Sequence, residues 1–250
     1  MQANKNFFLK TLSFVVVILF WEYAGRTGYS SALPSFTETM AAMGALIMDG
    51  SLGAAFAKTL HPLAIGLLAS ILVGVGLGIF MGLKDAGEWL FAPIFIVAQA
   101  APLAALIPVL TFAYGIGITA KIFTVCIMAM PVIVLNTLGA VRNTPGSLID
   151  MAKSFQATRL QVVMNIILPA ASPLIFVGLR LGCASGFIGI ILAELLITPT
   201  GIGDIISYSQ SVADYANMYA AILSIIVASV LFIELLEKTE QWMFSPDKRV

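Results

Sequence analysis

The stretch Leu60-His-Pro-Leu-Ala-Ile-Gly-Leu-Leu-Ala-Ser-Ile-Leu-Val-Gly-Val-Gly-Leu-Gly-Ile-Phe-Met-Gly-Leu83 contains no lysine, arginine, aspartate or glutamate. A helix rises about 1.5 Å per residue, and roughly 20 mostly apolar residues cross the hydrocarbon core of a bilayer. This run is long enough and apolar enough to do so. The stretch therefore predicts a transmembrane helix.

The whole chain has the same apolar character. Of its 250 residues, 60% are hydrophobic and 10% are charged, whereas a soluble domain carries about 25% charged residues. The mean hydropathy is +1.00. The net charge is zero, so no basic surface favours nucleic acid. The composition predicts a membrane protein and excludes a soluble fold, whose surface these few charges could not cover.

Residues that could support catalysis or metal binding are scarce. The two cysteines, Cys126 and Cys183, lie in apolar runs, and His61 is the single histidine. No metal site or disulfide framework is expected from them. The sequence also lacks the G-x-S-x-G, H-E-x-x-H and G-x-x-x-x-G-K-[ST] patterns. We therefore expect no enzyme and no ATPase site on this chain.

Six segments are apolar and long enough to span a bilayer, and they predict an all-α membrane protein with a single transmembrane domain over residues 1–250. In chain order they are Phe8–Ala24, Leu60–Leu83, Trp89–Tyr114, Ala120–Val141, Leu168–Thr198 and Tyr215–Leu236. The first continues into Trp21 and Tyr23, aromatic residues that suit a membrane interface, so we expect a retained anchor rather than a cleaved signal peptide. An amphipathic stretch at Phe36–Met48 lies in the longest connection.

The positive charges predict the orientation of these spans, with both termini inside. With the N-terminus inside, nine basic residues fall on the inner side, and they are Lys5, Lys10, Lys84, Arg142, Lys153, Arg159, Lys238, Lys248 and Arg249. Only three fall on the outer side, and they are Arg26, Lys58 and Lys121. Because basic residues favour the cytoplasmic side, the loop at about 142–169 is expected to be cytoplasmic.

Small residues recur at four-residue spacing in two of the spans. The second span carries Gly66, Ser70, Gly74, Gly78 and Gly82, and the fifth carries Gly178, Gly182 and Gly186. Residues four apart share one helix face, and small residues there let two backbones approach closely. The two faces are either static packing surfaces or seams that slide during transport.

Candidate pathway residues are polar groups and breaks within the apolar segments. Pro102 follows Gln99 in the third span, and a broken backbone at membrane depth is tolerated where it lines a cavity or is covered by protein. Arg180 and Glu194 are the charges most deeply placed in an apolar run, and such charges face a bundle interior or an aqueous cavity. They are about 21 Å apart along one helix, too far to pair directly. Structural kinking and anchoring remain alternatives for all four.

The 142–169 loop contains a short amphipathic helix. Pro145 suits the first helical position after Thr144, and Leu148, Met151, Ala152 and Phe155 form one apolar stripe at helical spacing. The stripe must be buried against lipid, against the rest of the chain or in the groove of a partner protein.

The same loop resembles the EAA loop of binding-protein-dependent ABC importer permeases. Asp150 stands for the family's glutamate, and Ala152, Ala157, Leu168 and Pro169 match its pattern. Met151 replaces the first alanine and Gln156 replaces the glycine, so Gln156 must take either an ordinary or a left-handed backbone angle. Outside this loop, the chain is similar to the nitrate/sulfonate/taurine-type branch of that family. The similar stretches are Trp21-Glu-Tyr-Ala, Leu33-Pro-Ser, Asn136-Thr137, Gly178-Leu-Arg-Leu181, Ala193-Glu194 and Gly201-Ile-Gly203.

This resemblance implies a type I (MetI-like) permease fold in the inner membrane. It implies docking of a separate ATP-binding subunit through Leu148, Asp150–Ala152, Phe155–Ala157 and Leu168–Pro169, with ATP and Mg on that subunit and no cofactor on this chain. It further implies a second permease chain as a homodimer partner and an extracytoplasmic substrate-binding protein. The expected cargo is a small anion such as nitrate, a sulfonate or taurine, or else a vitamin or pyrimidine precursor. A secondary transporter or channel is the alternative that shares the composition.

Overall fold

The computed structural model describes residues 2–28 and 30–244, and all of its regular structure is helical. The helices are α1 (Gln2–Arg26), α2 (Phe36–Met48), α3 (Ser51–Leu83), α4 (Asp85–Ala100), α5 (Ile107–Tyr114), α6 (Ile118–Arg142), α7 (Gly146–Ser154), α8 (Arg159–Val162), α9 (Leu168–Leu196), α10 (Ile202–Ser211) and α11 (Tyr215–Phe244). A 3₁₀ turn at Leu103–Leu106 precedes α5, and a π turn at Val163–Ile167 precedes α9. The all-α prediction is confirmed.

Four helices in the described part of the chain are long and apolar enough to cross a membrane. They are Ser51–Leu83, Ile118–Arg142, Arg159–Leu196 (which joins α8, the π turn and α9) and Tyr215–Trp242. They cover the second, fourth, fifth and sixth predicted spans. The predicted span at Trp89–Tyr114 is interrupted near Pro102, as the sequence predicted, because α4 ends at Ala100 and α5 begins at Ile107. The count of six spans and the N-in/C-in orientation stay predictions.

Helices α3 and α11 extend well beyond the spans that the sequence predicted. α3 begins at Ser51 rather than Leu60. Asp49 Oδ1 accepts a 2.8 Å hydrogen bond from the Ser51 backbone N–H, and this bond satisfies the first N–H group of the helix. The hydrogen bonds from Ser51 also lower the pKa of the Asp49 carboxyl. α11 runs to Phe244 rather than Leu236. The predicted span ended where charged residues begin, but these residues continue the helix.

One compact unit comprises the residues up to Lys58 together with Pro199–Val227. Within it, Trp21 Nε1 donates a 3.0 Å hydrogen bond to the carbonyl of Pro34, and Glu22 accepts bonds from the backbone and hydroxyl of Thr37. A side chain at Gly25 would lie 2.5 Å from Ser35 Cα. The tryptophan–glutamate and leucine–proline–serine stretches of the sequence therefore form one tight corner between α1 and α2.

The second unit comprises Thr59–Thr198 and the residues from Ala228 onward. Buried side chains of α3, α4 and α6 form one cluster, made of Met81, Ala92, Val134 and Leu138. At one end of α6, Ala140 and Val141 pack with Ala171 and Ile175 of α9. At the other end, Ala120 packs with Ile107, Ala193 and Ile197 of α5 and α9. Helix α6 is thus the common packing partner of this unit.

The glycines on one face of α3 and on one face of α9 allow these two helices to pack closely against α6. Side chains at Gly74, Gly78 and Gly82 of α3 would meet Ile133, Thr137 and Val141 of α6 at 2.5–3.0 Å. On α9, a side chain at Gly178 or Gly182 would clash with Asn136 or Ile133 of α6, and one at Gly186 with Leu67 of α3. Real Cβ atoms do not approach this closely, so both faces require glycine for this packing.

Candidate docking loop and pathway residues

Helix α7 is the first element of the 142–169 loop, and its N-terminus differs from the sequence prediction. Pro145 is the N-cap residue rather than the first helical residue, and no side chain caps the helix. Asp150 instead accepts a 3.1 Å bond from Lys153 Nζ, one turn further along. The helix therefore depends for its stability on the packing of its apolar face.

That face is only partly covered within the chain. Ala152 is 5% exposed and lies against its own protein, whereas Leu148 is 36%, Met151 47% and Phe155 80% exposed. An aromatic ring with this exposure buries little apolar area in the isolated chain. The stripe is thus anchored at Ala152 and open along Leu148, Met151 and Phe155.

The turn after α7 holds Gln156, at the position where the EAA pattern has glycine. Gln156 has φ 54, in the left-handed region. The Ala157 N–H donates to the Ala152 carbonyl at 3.0 Å, and the Gln156 N–H donates to the Lys153 carbonyl at 2.9 Å. These two bonds make a Schellman helix stop, in which the left-handed position normally holds glycine. Of the two backbone angles that the sequence allowed for Gln156, the structure has the strained one.

The chain then restarts helix formation at once. Thr158 caps α8 with a capping box, since Gln161 Oε1 accepts from the Thr158 N–H at 2.8 Å. After the π turn, α9 begins at Leu168 with Pro169 in its first turn. Proline is suited to that place because the first-turn N–H groups have no partner within the helix.

Two open grooves of about 430 Å³ flank α7 and bring the predicted docking residues together. One is lined by Met151, Ala152, Phe155, Gln156 and Ala157 of α7 and its turn, opposite Gln161, Asn165 and Ile166. The other joins Leu148 to Pro169 and also includes Asn165. Asp150 lies on the exposed side of α7, and Leu168 is half-buried at the start of α9. Sequence reasoning missed Asn165, which lines both grooves.

The break in the third predicted span is visible at Pro102. Ala101 is extended (φ −67, ψ 146), and Gln99 and Pro102 on either side of it are exposed. A cavity of about 400 Å³ lies beside α4, and its lining is wholly apolar, with residues Ala69, Ile94, Phe95, Ala98, Phe123, Cys126, Ile127, Met130 and Pro131. Gln99 does not line it, so the one polar side chain of this stretch is not aimed into the cavity.

Arg180 is held by two carboxylates of α11. Its guanidinium lies 3.2 Å from Glu237 and 3.5 Å from Glu240. Both glutamates are beyond the predicted end of the sixth span, which is why sequence reasoning missed the cluster. The extension of α11 supplies them, and a partly buried arginine is thereby neutralised.

Glu194 belongs to a separate, fully buried cluster. The Thr59 hydroxyl lies 2.9 Å and 3.0 Å from its two carboxylate oxygens, and Lys121 Nζ lies 3.4 Å from Oε1. All three side chains are buried. Removal of one member of such a buried pair leaves an uncompensated charge. Sequence reasoning placed Lys121 in an outer loop, whereas α6 begins at Ile118 and brings it inside the helix.

Comparison with known proteins agrees with this architecture. Residues 71–237 match the family described as "Binding-protein-dependent transport system inner membrane component". A protein of Bacillus subtilis (strain 168), named as an aliphatic sulfonates transport permease, is 26% identical over 89% of this chain and 83% of its own length. The nitrate import permease protein of Synechocystis sp. is 29% identical over 86% of this chain and 83% of its own.

The fold has a counterpart among solved structures. A chain of the inward-facing MetNI methionine ABC transporter superposes with a TM-score of 0.60 at 19% identity, over 75% of this chain and 92% of that one. The MetI-like fold expected from the sequence is confirmed. The family match sets aside the alternative of a secondary transporter or channel. The chain belongs to the family of inner-membrane components of binding-protein-dependent transport systems, in which it is a permease subunit of an ABC importer.

Proposed function

We propose that α7 and its Schellman turn dock a separate ATP-binding subunit on the cytoplasmic side of the membrane. The observation that carries this proposal is the exposure of Phe155, Met151 and Leu148 in an apolar stripe that is buried within the chain only at Ala152. A short amphipathic helix outside the bilayer gains stability when a groove of a partner covers its open stripe. The full docking surface is Leu148, Asp150–Ala152, Phe155–Ala157 and Leu168–Pro169.

The proposed orientation puts both termini in the cytoplasm. It is supported by the excess of lysine and arginine in the segments that join α3 to α4, α6 to α9 and follow α11. On this orientation α2 and α10 lie on the outer side, where an extracytoplasmic binding protein delivers the solute. Two copies of the permease form the pathway, and ATP and Mg bind to the partner ATPase.

The proposed cargo is a small anion of the sulfonate or nitrate class, the solutes named for two relatives. A neutral vitamin or pyrimidine precursor is the second candidate. One observation favours it, because Lys121 and Arg180 are both engaged by carboxylates within this chain. Neither cation is then presented to an anion in this conformation, and the binding protein would supply most of the selectivity.

A charge placed at the most exposed residue of the stripe tests the docking proposal. Phe155→Glu is expected to abolish co-purification of the ATP-binding subunit, because an ionised carboxylate in a closed apolar contact costs several kcal/mol, on the order of 1,000-fold in affinity. Met48→Glu is the matched control, since Met48 is 89% exposed at the end of α2. Both variants are expected to insert into the membrane normally. Retention of the ATPase by Phe155→Glu would refute the docking role.

A further inference from the structure

Arg142 joins the beginning of the 142–169 loop to a different helix. It is the last residue of α6, and its guanidinium Nη2 lies 2.5 Å from Asp85 Oδ1 and 2.6 Å from Glu88 Oε2. Both carboxylates belong to the first turn of α4. Among the ion pairs of the side chains that the structure describes, no other connects α4 to another helix.

All three charges stand where the helix dipoles favour them. Asp85 and Glu88 lie at the positive N-terminus of α4, and Arg142 lies at the negative C-terminus of α6. The arginine and both carboxylates are nevertheless partly or largely exposed, and exposed ion pairs contribute little to folding. The cluster is therefore better suited to fixing the position of α4 against the loop than to holding the fold together.

Helix α4 leads from this cluster to the break in the backbone. Its body packs on α3 and α6 through Ala92, which lies in the buried cluster with Met81 and Val134. Its far end is Ala100, and the extended Ala101 and Pro102 follow directly. A displacement applied at the first turn of a packed helix is carried along it, since a helix is a rigid element.

We infer that Arg142 is a positioning residue that transmits movement of the 142–169 loop to α4, and through α4 to the broken segment at Ala101–Pro102. This inference rests on the proposed docking function, because the ATP-binding subunit is what moves the loop. Helix α6 is covalently continuous with the loop and needs no such link. Helix α4 is not, and besides its packing on α6 through Ala92 the two carboxylates at its start connect it to Arg142, where the loop begins.

The test measures coupling in the complete importer reconstituted into proteoliposomes with its ATPase and binding protein. The readout is solute transported per ATP hydrolysed by each assembled complex, so a change in the amount of folded protein does not alter it. Arg142→Gln is expected to lower this ratio at least about fivefold, the lower range of measured allosteric couplings. The double variant Asp85→Asn/Glu88→Gln is expected to show the same loss, and either single variant an intermediate one.

Combining all three substitutions is expected to add no further loss, because the members of one network are not additive. Arg26→Gln is the matched control, since Arg26 makes an equally close pair with Glu22 inside a single helix, and its ratio should equal that of the wild type. A wild-type ratio in Arg142→Gln, or losses that add in the combined variant, would overturn the inference. Retention of the ATPase by Phe155→Glu would instead overturn the docking proposal beneath it.

Discussion

At the scale of single residues, Gln156 is where this chain departs most clearly from its family's pattern. A left-handed backbone costs a residue with a Cβ about 1–2 kcal/mol, while glycine costs about 0.5–1 kcal/mol more chain entropy on folding. Gln156→Gly is therefore expected to change the free energy of unfolding by about 0–1.5 kcal/mol in the stabilising direction, with transport retained. Thermal unfolding of the purified permease and an uptake assay measure both effects.

The matched variant at the same position is Gln156→Val. A β-branched residue is a poor fit to positive φ, so this variant should unfold at a lower temperature than the wild type. Loss of uptake in Gln156→Gly would show that the glutamine side chain makes a necessary contact of its own. The turn itself could be located from the sequence, but the backbone angle of Gln156 could not, because neither choice is excluded by local rules.

Residues Lys121 and Glu194 show what local sequence cannot provide. They are 73 positions apart, and only the packing of α6 against α9 brings them together. Glu194 was recognisable as a buried charge, because it stands inside an apolar run. Its partners Lys121 and Thr59 were not, since each lies near the predicted end of a span, where a polar side chain is ordinary.

At the scale of elements, the apolar pattern predicted helix existence better than helix ends. The amphipathic helix Phe36–Met48 and the start of α9 at Leu168 agree with the sequence prediction. The starts and ends that differ, at Ser51 and Phe244, are set by a side-chain cap and by a charged but helical tail. The break near Pro102 was foreseeable from proline; the length of the interruption depended on tertiary packing.

Two glycines of α3, Gly78 and Gly76, are expected to respond differently to substitution by alanine. A methyl group at Gly78 would lie 2.5 Å from Thr137 Cβ, whereas one at Gly76 would meet nothing within 4 Å. Gly78→Ala should destabilise the permease by about 1–3 kcal/mol through overpacking. Gly76→Ala should leave stability unchanged or raise it by up to about 1 kcal/mol through helix propensity. Unfolding midpoints that fall equally in both variants would contradict the assigned packing.

At the scale of the whole molecule, composition established the membrane class and the family pattern established the permease class. The two charge clusters around Arg180 and Glu194 came only from the structure, and they pair Arg180 and Lys121 with carboxylates of the same chain. We propose that movement passes in one direction through the molecule, from the docking helix α7 through Arg142 to α4. That direction depends on α7 facing the ATPase.

The most direct measurement places a photo-reactive benzoylphenylalanine at Phe155 or at Met48 in the assembled importer. The account predicts an adduct between position 155 and the ATP-binding subunit, because the ring at that position lies in the docking contact. Position 48, equally exposed in the isolated chain, should give no such adduct. If the ATPase co-purifies and yet cross-links to position 48, or to neither position, α7 is not its docking helix.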